Sequence, residues 1–162
     1  VLLEAVSKLP EEEQVEAYIL GSGSMLAMYK EKYASCNRIK FFSPIPKKQV
    51  KAFLQQTDLC FDSVESELAR YGLSRNKWID YMYASKPIIC SYDGFQSMIN
   101  EANCGSFVKF NDVEKLASKS NFSEKVNLTE MENLISNRLA EGPGVARGEK
   151  TCLKNNRILF SL

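Results

Sequence analysis

Ser74, Arg75, Lys77 and Asp80, which follow Gly72 and Leu73, have the types and spacing to hold a phosphorylated ligand. Ser74 reads as an N-cap, so a helix is expected to open with Arg75, Asn76 and Lys77. A helix N-terminus carries partial positive charge and ordinarily favours acids. Two cations there make sense where an anion sits among them, met by backbone N–H groups. Asp80 lies three residues beyond Lys77 and shares its helix face. A carboxylate there can accept hydrogen bonds from two vicinal ribose hydroxyls, while the lysine neutralises phosphate as a point cation. Lys77 and Asp80 are therefore the candidate catalytic residues. The competing reading is a surface ion pair contributing little. Trp78, Ile79, Tyr81 and Met82 favour instead a largely buried helix with Lys77 and Asp80 lining a cleft.

A second candidate is Gly21-Ser22-Gly23-Ser24, between a strand-like run and a helical one. Such a turn can face a phosphate. Leu26 stands where a dinucleotide fingerprint needs its third glycine, and Lys40 and Phe41 stand where it needs an acid. A plain turn between strand and helix remains the alternative. Glu65 and Glu67 read as solvated charges, or one of them as facing a sugar. Lys47, Lys48, Lys115 and Lys119 read as surface, and Tyr71, Tyr81 and Tyr83 as core and rim packing.

The chain has 162 residues, 44% hydrophobic and 25% charged, with a net charge of +1. These values fit one soluble globular domain and give no global basic field for nucleic acid. Histidine is absent, so a Ser-His-Asp or Cys-His nucleophile cannot be built within the chain. Acid–base work falls to carboxylates, lysine or tyrosine. The five cysteines form no CxxC pair, and Cys60 and Cys90 lie in apolar runs as inert core thiols. A reducing, cytoplasmic setting is the simplest reading.

The elements that must position the site alternate between apolar strands and amphipathic helices. Strands are expected at 17–20, 38–42, 58–61, 87–91 and 106–110. Helices are expected at 2–9, 24–33 capped by Ser24, 47–56, after Ser74, at 95–102, after Asn111 as a cap with Glu114, and at 128–139. This order predicts an α/β fold, a Rossmann-like doubly wound parallel sheet over residues 1–162. Ligands in such sheets sit at the carboxyl ends of strands. The loops there are Gly21 to Ser24, Ser43-Pro44-Ile45-Pro46 and the segment leading to Gly72. The tail, 141–162, is expected to be irregular or helical. A doubly wound domain ordinarily opens with a strand, so a strand is expected ahead of Val1, in a longer protein.

The order of these pieces resembles the C-terminal, donor-binding domain of GT-B glycosyltransferases of family 4, in the branch of bacterial enzymes that build surface polysaccharides such as O-antigen and capsule. The likeness rests on Ala17 to Gly23, Arg38 to Phe42 with Pro44 to Pro46, Thr57 to Cys60, Tyr71 to Ile89 and Glu101 to Gly105. It implies a nucleotide-sugar donor, a UDP-sugar in the favoured case, and a UDP-N-acetylhexosamine among these. The second glutamate of the family's E-x7-E motif, which binds ribose, falls on Asp80. The first, which faces the sugar, falls on Gly72, so Gly72, Leu73 and Ser74 or Glu65 or Glu67 must replace it. The base-contacting loop falls on Ser43 to Pro46. Gly21, Ser22, Gly23, Arg75 and Asn76 complete the expected donor site. The resemblance implies no metal or cofactor, retention at the anomeric carbon, and a lipid-linked or oligosaccharide acceptor held by another domain. It places the enzyme in the cytoplasm or peripherally at the inner membrane face, and implies that this domain alone binds donor without turnover. The alternatives are a sugar-nucleotide epimerase of the same architecture, disfavoured by the missing histidines, and a non-catalytic nucleotide-binding regulatory module.

Overall fold

The computed structural model describes residues 1–64, 75–92, 98–102, 104–118 and 157–161. Its elements in chain order are α1 (Leu2–Lys8), β1 (Glu16–Leu20), α2 (Leu26–Lys32), β2 (Ile39–Phe42), α3 (Lys47–Leu54) and β3 (Leu59–Ser63). They continue as α4 (Asn76–Tyr83), β4 (Ile88–Ser91), α5 (Met98–Glu101), β5 (Gly105–Val108), α6 (Val113–Ser118) and β6 (Arg157–Ser161). The strands form one sheet in the order β2-β1-β6-β3-β4-β5. Every pairing is parallel. The expected doubly wound α/β architecture is therefore present.

Residue alternation along the strands divides the core in two. Ala17, Ile19, Ile39, Leu59, Phe61 and Ile89 face one side, where α1, Tyr33 at the end of α2, and Leu116 of α6 cover them. Tyr18, Leu20, Cys60, Ile88 and Cys90 face the other, beneath Leu54 of α3, Trp78 and Tyr81 of α4 and Ile99 of α5. Strands covered on both faces need apolar residues on both, which is why β1, β3 and β4 read as continuous apolar runs. In α1, Leu2, Leu3, Ala5 and Val6 make the buried stripe, and Lys8 bonds Glu4 one turn back at 2.8 Å.

Several local expectations change. Met25, not Ser24, is the N-cap of α2, without a side-chain cap bond; instead Leu26 N–H donates to the Gly23 carbonyl at 3.0 Å. Asn111 takes a left-handed conformation with φ 61° and belongs to the turn before α6, which begins only at Val113. Asn and Asp tolerate that conformation because their side chains bond locally, so the residue that suggested a cap serves a turn. The helix of 95–102 is described only as Met98–Glu101, and the one expected at 128–139 lies outside the described residues.

The tail departs most. Where an irregular or helical tail was expected, Arg157–Ser161 form β6, paired with β1 on one side and β3 on the other. The sheet position between β1 and β3 is thus held by the strand latest in sequence. Residues 141–156 lie outside the described part. Among the described residues no helix is long and apolar enough to cross a membrane.

Candidate functional site

Because all strands are parallel, their carboxyl ends share one edge of the sheet. From β1 the chain steps outward to β2, whereas from β3 it steps the opposite way to β4 and β5. The reversal falls around β6, and crevices for ligands form at such switch points. The Gly21 turn leaves β1 on one side of it, and the end of β3 stands on the other.

Gly21 is buried, has φ 148° and donates its N–H to the Phe42 carbonyl at 3.3 Å. That φ disfavours a residue with a Cβ, so glycine lets the chain turn sharply off β1 while staying bonded to the neighbouring strand. Ser22, Gly23 and Ser24 beyond it are exposed. In the next loop Pro44 and Pro46 are exposed, while Ile45 packs partly against the core. Pro46 is the N-cap of α3, a position where its fixed φ fits and its missing N–H costs nothing.

At the end of β3 lies a carboxylate that the sequence reading overlooked. Asp62 is 0% exposed. Its Oδ2 accepts the Trp78 indole N–H at 2.7 Å, and its Oδ1 accepts the Ser63 backbone N–H at 3.0 Å. Arg75 Nε approaches Oδ2 at 3.3 Å and Lys77 Nζ approaches Oδ1 at 3.3 Å. Two cations thus meet one buried carboxylate. Arg75 also reaches the Ser63 carbonyl at 3.5 Å. Burial pushes the Lys77 ammonium below the ordinary lysine range, opposed by the Asp62 charge and reinforced by Arg75. Charge buried without a partner would be strongly unfavourable, so the three groups stand or fall together.

The helix starts one residue later than expected. Arg75 is itself the N-cap, in extended conformation and without a side-chain cap bond. Asn76 opens α4 and is exposed. The first turn contains no acid, so the unusual distribution of charge inferred from sequence is real. Gly72, Leu73 and Ser74 lie outside the described residues, as do Tyr71, Glu65 and Glu67. The helix is less buried than its composition suggests. Trp78 and Tyr81 are inside, but Ile79 is 50% and Tyr83 58% exposed, with the Lys51 ammonium 4.7 Å from the Tyr83 ring centroid.

Lys77 and Asp80 take different partners. Lys77 turns inward to Asp62, whereas the Asp80 carboxylate meets Lys47 Nζ at 2.5 Å. Lys47, read as plain surface, is the first residue of α3 and directly follows Pro46. The pair therefore joins α4 to the Ser43–Pro46 loop. Lys47 thus links the loop to Asp80, which stands one turn beyond the Arg75–Lys77 pair on α4. The Gly21 turn stands across β6.

Of the two residues missed, one carries a signal in the sequence. Asp62 follows Leu59-Cys60-Phe61, so an acid reads as the end of the strand, yet β3 continues to Ser63. An acid inside a buried parallel strand is itself the sign of a partner. Lys47 has no local signal, since its side chain is 75% exposed and its partner is distant in sequence.

What this arrangement can do is bind a ligand carrying an anion and a polyol. The family model described as Glycosyl transferases group 1 matches residues 1–121, which includes β1 to β5 and every residue of the site described above. No curated protein matches the chain. With three quarters of its length matched, the chain belongs to the glycosyl transferases group 1 family, and it is a glycosyltransferase domain.

Proposed function

We propose that this domain holds the nucleotide-sugar donor of a retaining glycosyltransferase of family 4, one that extends a lipid-linked or oligosaccharide acceptor in surface polysaccharide synthesis. The observation that carries the reading is the Lys47–Asp80 contact. It brings the carboxylate suited to ribose beside the Pro44-Ile45-Pro46 loop suited to a base, on the same helix that presents Arg75 and Lys77 for the diphosphate. Base, ribose and diphosphate then follow one another along a single edge. UDP-sugars are the favoured donors, UDP-N-acetylhexosamines among them. Asn76 borders the sugar, and Gly21, Ser22 and Gly23 approach from the opposite side of the switch point; Gly72, Leu73 and Ser74, the resemblance's further donor-site candidates, lie outside the described residues.

In this reading the chain's catalytic contribution is electrostatic. Breaking the bond from sugar to diphosphate builds negative charge on the leaving group. Lys77, Arg75 and the N–H groups at the start of α4 stabilise it, as fixed donors aimed at developing charge do. Asp80 orients the ribose and so the diphosphate behind it. The acceptor and its activating groups belong to another domain, so this domain alone binds donor and does not turn it over. The enzyme works in the cytoplasm or at the inner membrane face.

Calorimetry with UDP, GDP, uridine and UDP-sugars tests this. UDP should bind more tightly than uridine. Lys77→Ala should weaken UDP by ~10-fold or more, as loss of a charged hydrogen bond does, and uridine much less. Asp80→Ala should weaken both by one factor. Binding of none of these ligands would sink the donor reading, and unchanged affinity in Asp80→Ala would remove the ribose role.

A further inference from the structure

Asp62 has more donors than its burial requires. An acceptor for the Trp78 indole could be any neutral oxygen, yet a full carboxylate stands here, 0% exposed. Removing a charge from water is costly even when it is paired. A carboxylate is retained where its charge has a use, and its charged partners among the described residues are the two cations at the start of α4.

We infer that Asp62 is the positioning residue of the donor diphosphate site, holding Arg75 and Lys77 side by side. The inference rests on the donor reading above. Asp62 divides its two oxygens between the cations, Oδ1 to Lys77 and Oδ2 to Arg75. The Ser63 N–H and the Trp78 indole fix the carboxylate itself. Two like charges side by side repel, and Asp62, in contact with both, offsets that repulsion.

Among the described residues, groups from three directions act on Lys77. Asp62 on β3 favours its charged form by charge and hydrogen bond, Arg75 before α4 disfavours it, and Cys90 on β4 has a smaller favourable effect. Burial is the largest influence and disfavours charge. Without the Asp62 charge a favourable influence on the charged form is lost, and Lys77 gives up its proton at lower pH.

Asp62→Asn keeps the shape and an oxygen for Trp78 but removes the charge. UDP and uridine affinities are measured by calorimetry between about pH 7 and about pH 9, a window below the ordinary lysine pKa. In Asp62→Asn the UDP affinity should fall at least ~10-fold more across this window than in the unaltered chain, a loss of one charged contact. Uridine should show no such divergence. Asp62→Asn with Lys77→Arg should restore the unaltered slope, because a guanidinium does not deprotonate. Parallel UDP profiles in the unaltered and Asp62→Asn chains, or no rescue by arginine, would overturn the inference while leaving donor binding intact. Failure of the unaltered chain to bind UDP would overturn the donor reading itself.

A readout on the unaltered chain holds even if Asp62→Asn does not fold. Trp78 is the single tryptophan, and its indole sits on Asp62. Inorganic pyrophosphate has no base to quench it, so its binding to the cations held by Asp62 should shift Trp78 emission by changing the electric field at the indole. Binding detected by calorimetry with no change in emission would contradict the inference.

Discussion

Lys47 Nζ lies 2.5 Å from Asp80 Oδ2, so the residue that opens α3 is tied to the carboxylate one turn into α4. The lysine side chain is 75% exposed and the aspartate 27%. An exposed pair of this kind contributes little to folding. Its significance is placement, because it fixes the carboxylate against the loop ending at Pro46. Lys47→Met should change stability by less than about 1 kcal/mol. If Asp80 reads the ribose, this variant should change uridine and UDP affinity by one common factor, below about fivefold. Calorimetry on the two ligands checks it, and a loss confined to UDP would reassign Lys47 to the diphosphate.

Gly105 opens β5 opposite Ile88 of β4. A Cβ built there would lie 2.4 Å from the Ile88 carbonyl oxygen and 2.6 Å from Cγ2 of Ile99. The first contact is with backbone inside a sheet ladder, and the second with a side chain that is 0% exposed. Neither can yield cheaply, so β5 must shift from β4 or α5 from the sheet. Gly105→Ala should cost about 1–3 kcal/mol, the range for overpacking. Urea unfolding should show a lower midpoint with an unchanged slope. A midpoint equal to that of the unaltered chain would show that the strand relaxes freely.

The order of strands and helices was legible because each strand is covered on both faces and reads as an apolar run, while its loops are marked by Gly21, Pro44 and Pro46. Helix starts were less legible. Ser24 and Asn111 have capping chemistry, but Met25 caps α2 and Asn111 turns left-handed ahead of α6. A polar side chain can serve either use, and tertiary context decides. The site was half legible. Arg75, Lys77 and Asp80 betray themselves by charge at a helix start. Asp62 and Lys47, which position them, act across 15 and 33 residues of sequence, and no local pattern encodes such contacts. The role of β6 was illegible for the same reason, since five residues near the end of the chain reveal their neighbours only in three dimensions.

The cysteines give a pH test with a definite sign. Burial pushes the thiols of Cys60, Cys90 and Cys104 above the ordinary range. Between the unfolded thiol pKa, about 8.5, and those raised values, the folded chain holds protons that the unfolded chain releases. Stability therefore falls as pH rises above about 8.5. Lys77 acts in the opposite sense over the alkaline range, because its folded-state pKa is lowered. One group against three cannot reverse the trend when each contributes at most ~1.4 kcal/mol per pH unit. Urea midpoints should decline between about pH 8.5 and about pH 10. At about pH 8, iodoacetamide should label half-buried Cys36 well before Cys60, Cys90 or Cys104, as mass spectrometry would show. Early labelling of Cys60 or Cys90 would contradict their burial.

β6 joins two parts of the sheet, with Tyr18 aligned to Leu159 on one side and Cys60 to Leu159 on the other. In the order β2-β1-β6-β3-β4-β5, β1 and β3 are neighbours of β6 and not of each other. Removing β6 would expose facing edges of β1 and β3, each with unpaired N–H and C=O groups. The halves β2-β1 and β3-β4-β5 would keep their internal ladders but lose the strand that transmits cooperativity between them. The candidate site spans that joint, with Gly21 on one side and Asp62, Arg75 and Lys77 on the other. A chain ending at Asn156 should therefore lose its single cooperative urea transition, expose strand edges that favour self-association, and bind UDP far more weakly. Hydrogen exchange gives the finest check: in the full chain the amides of Ile19 and Phe61 should be among the slowest, and in the shortened chain both should exchange quickly. Retention of slow exchange at both positions would mean that β1 and β3 close upon each other without β6.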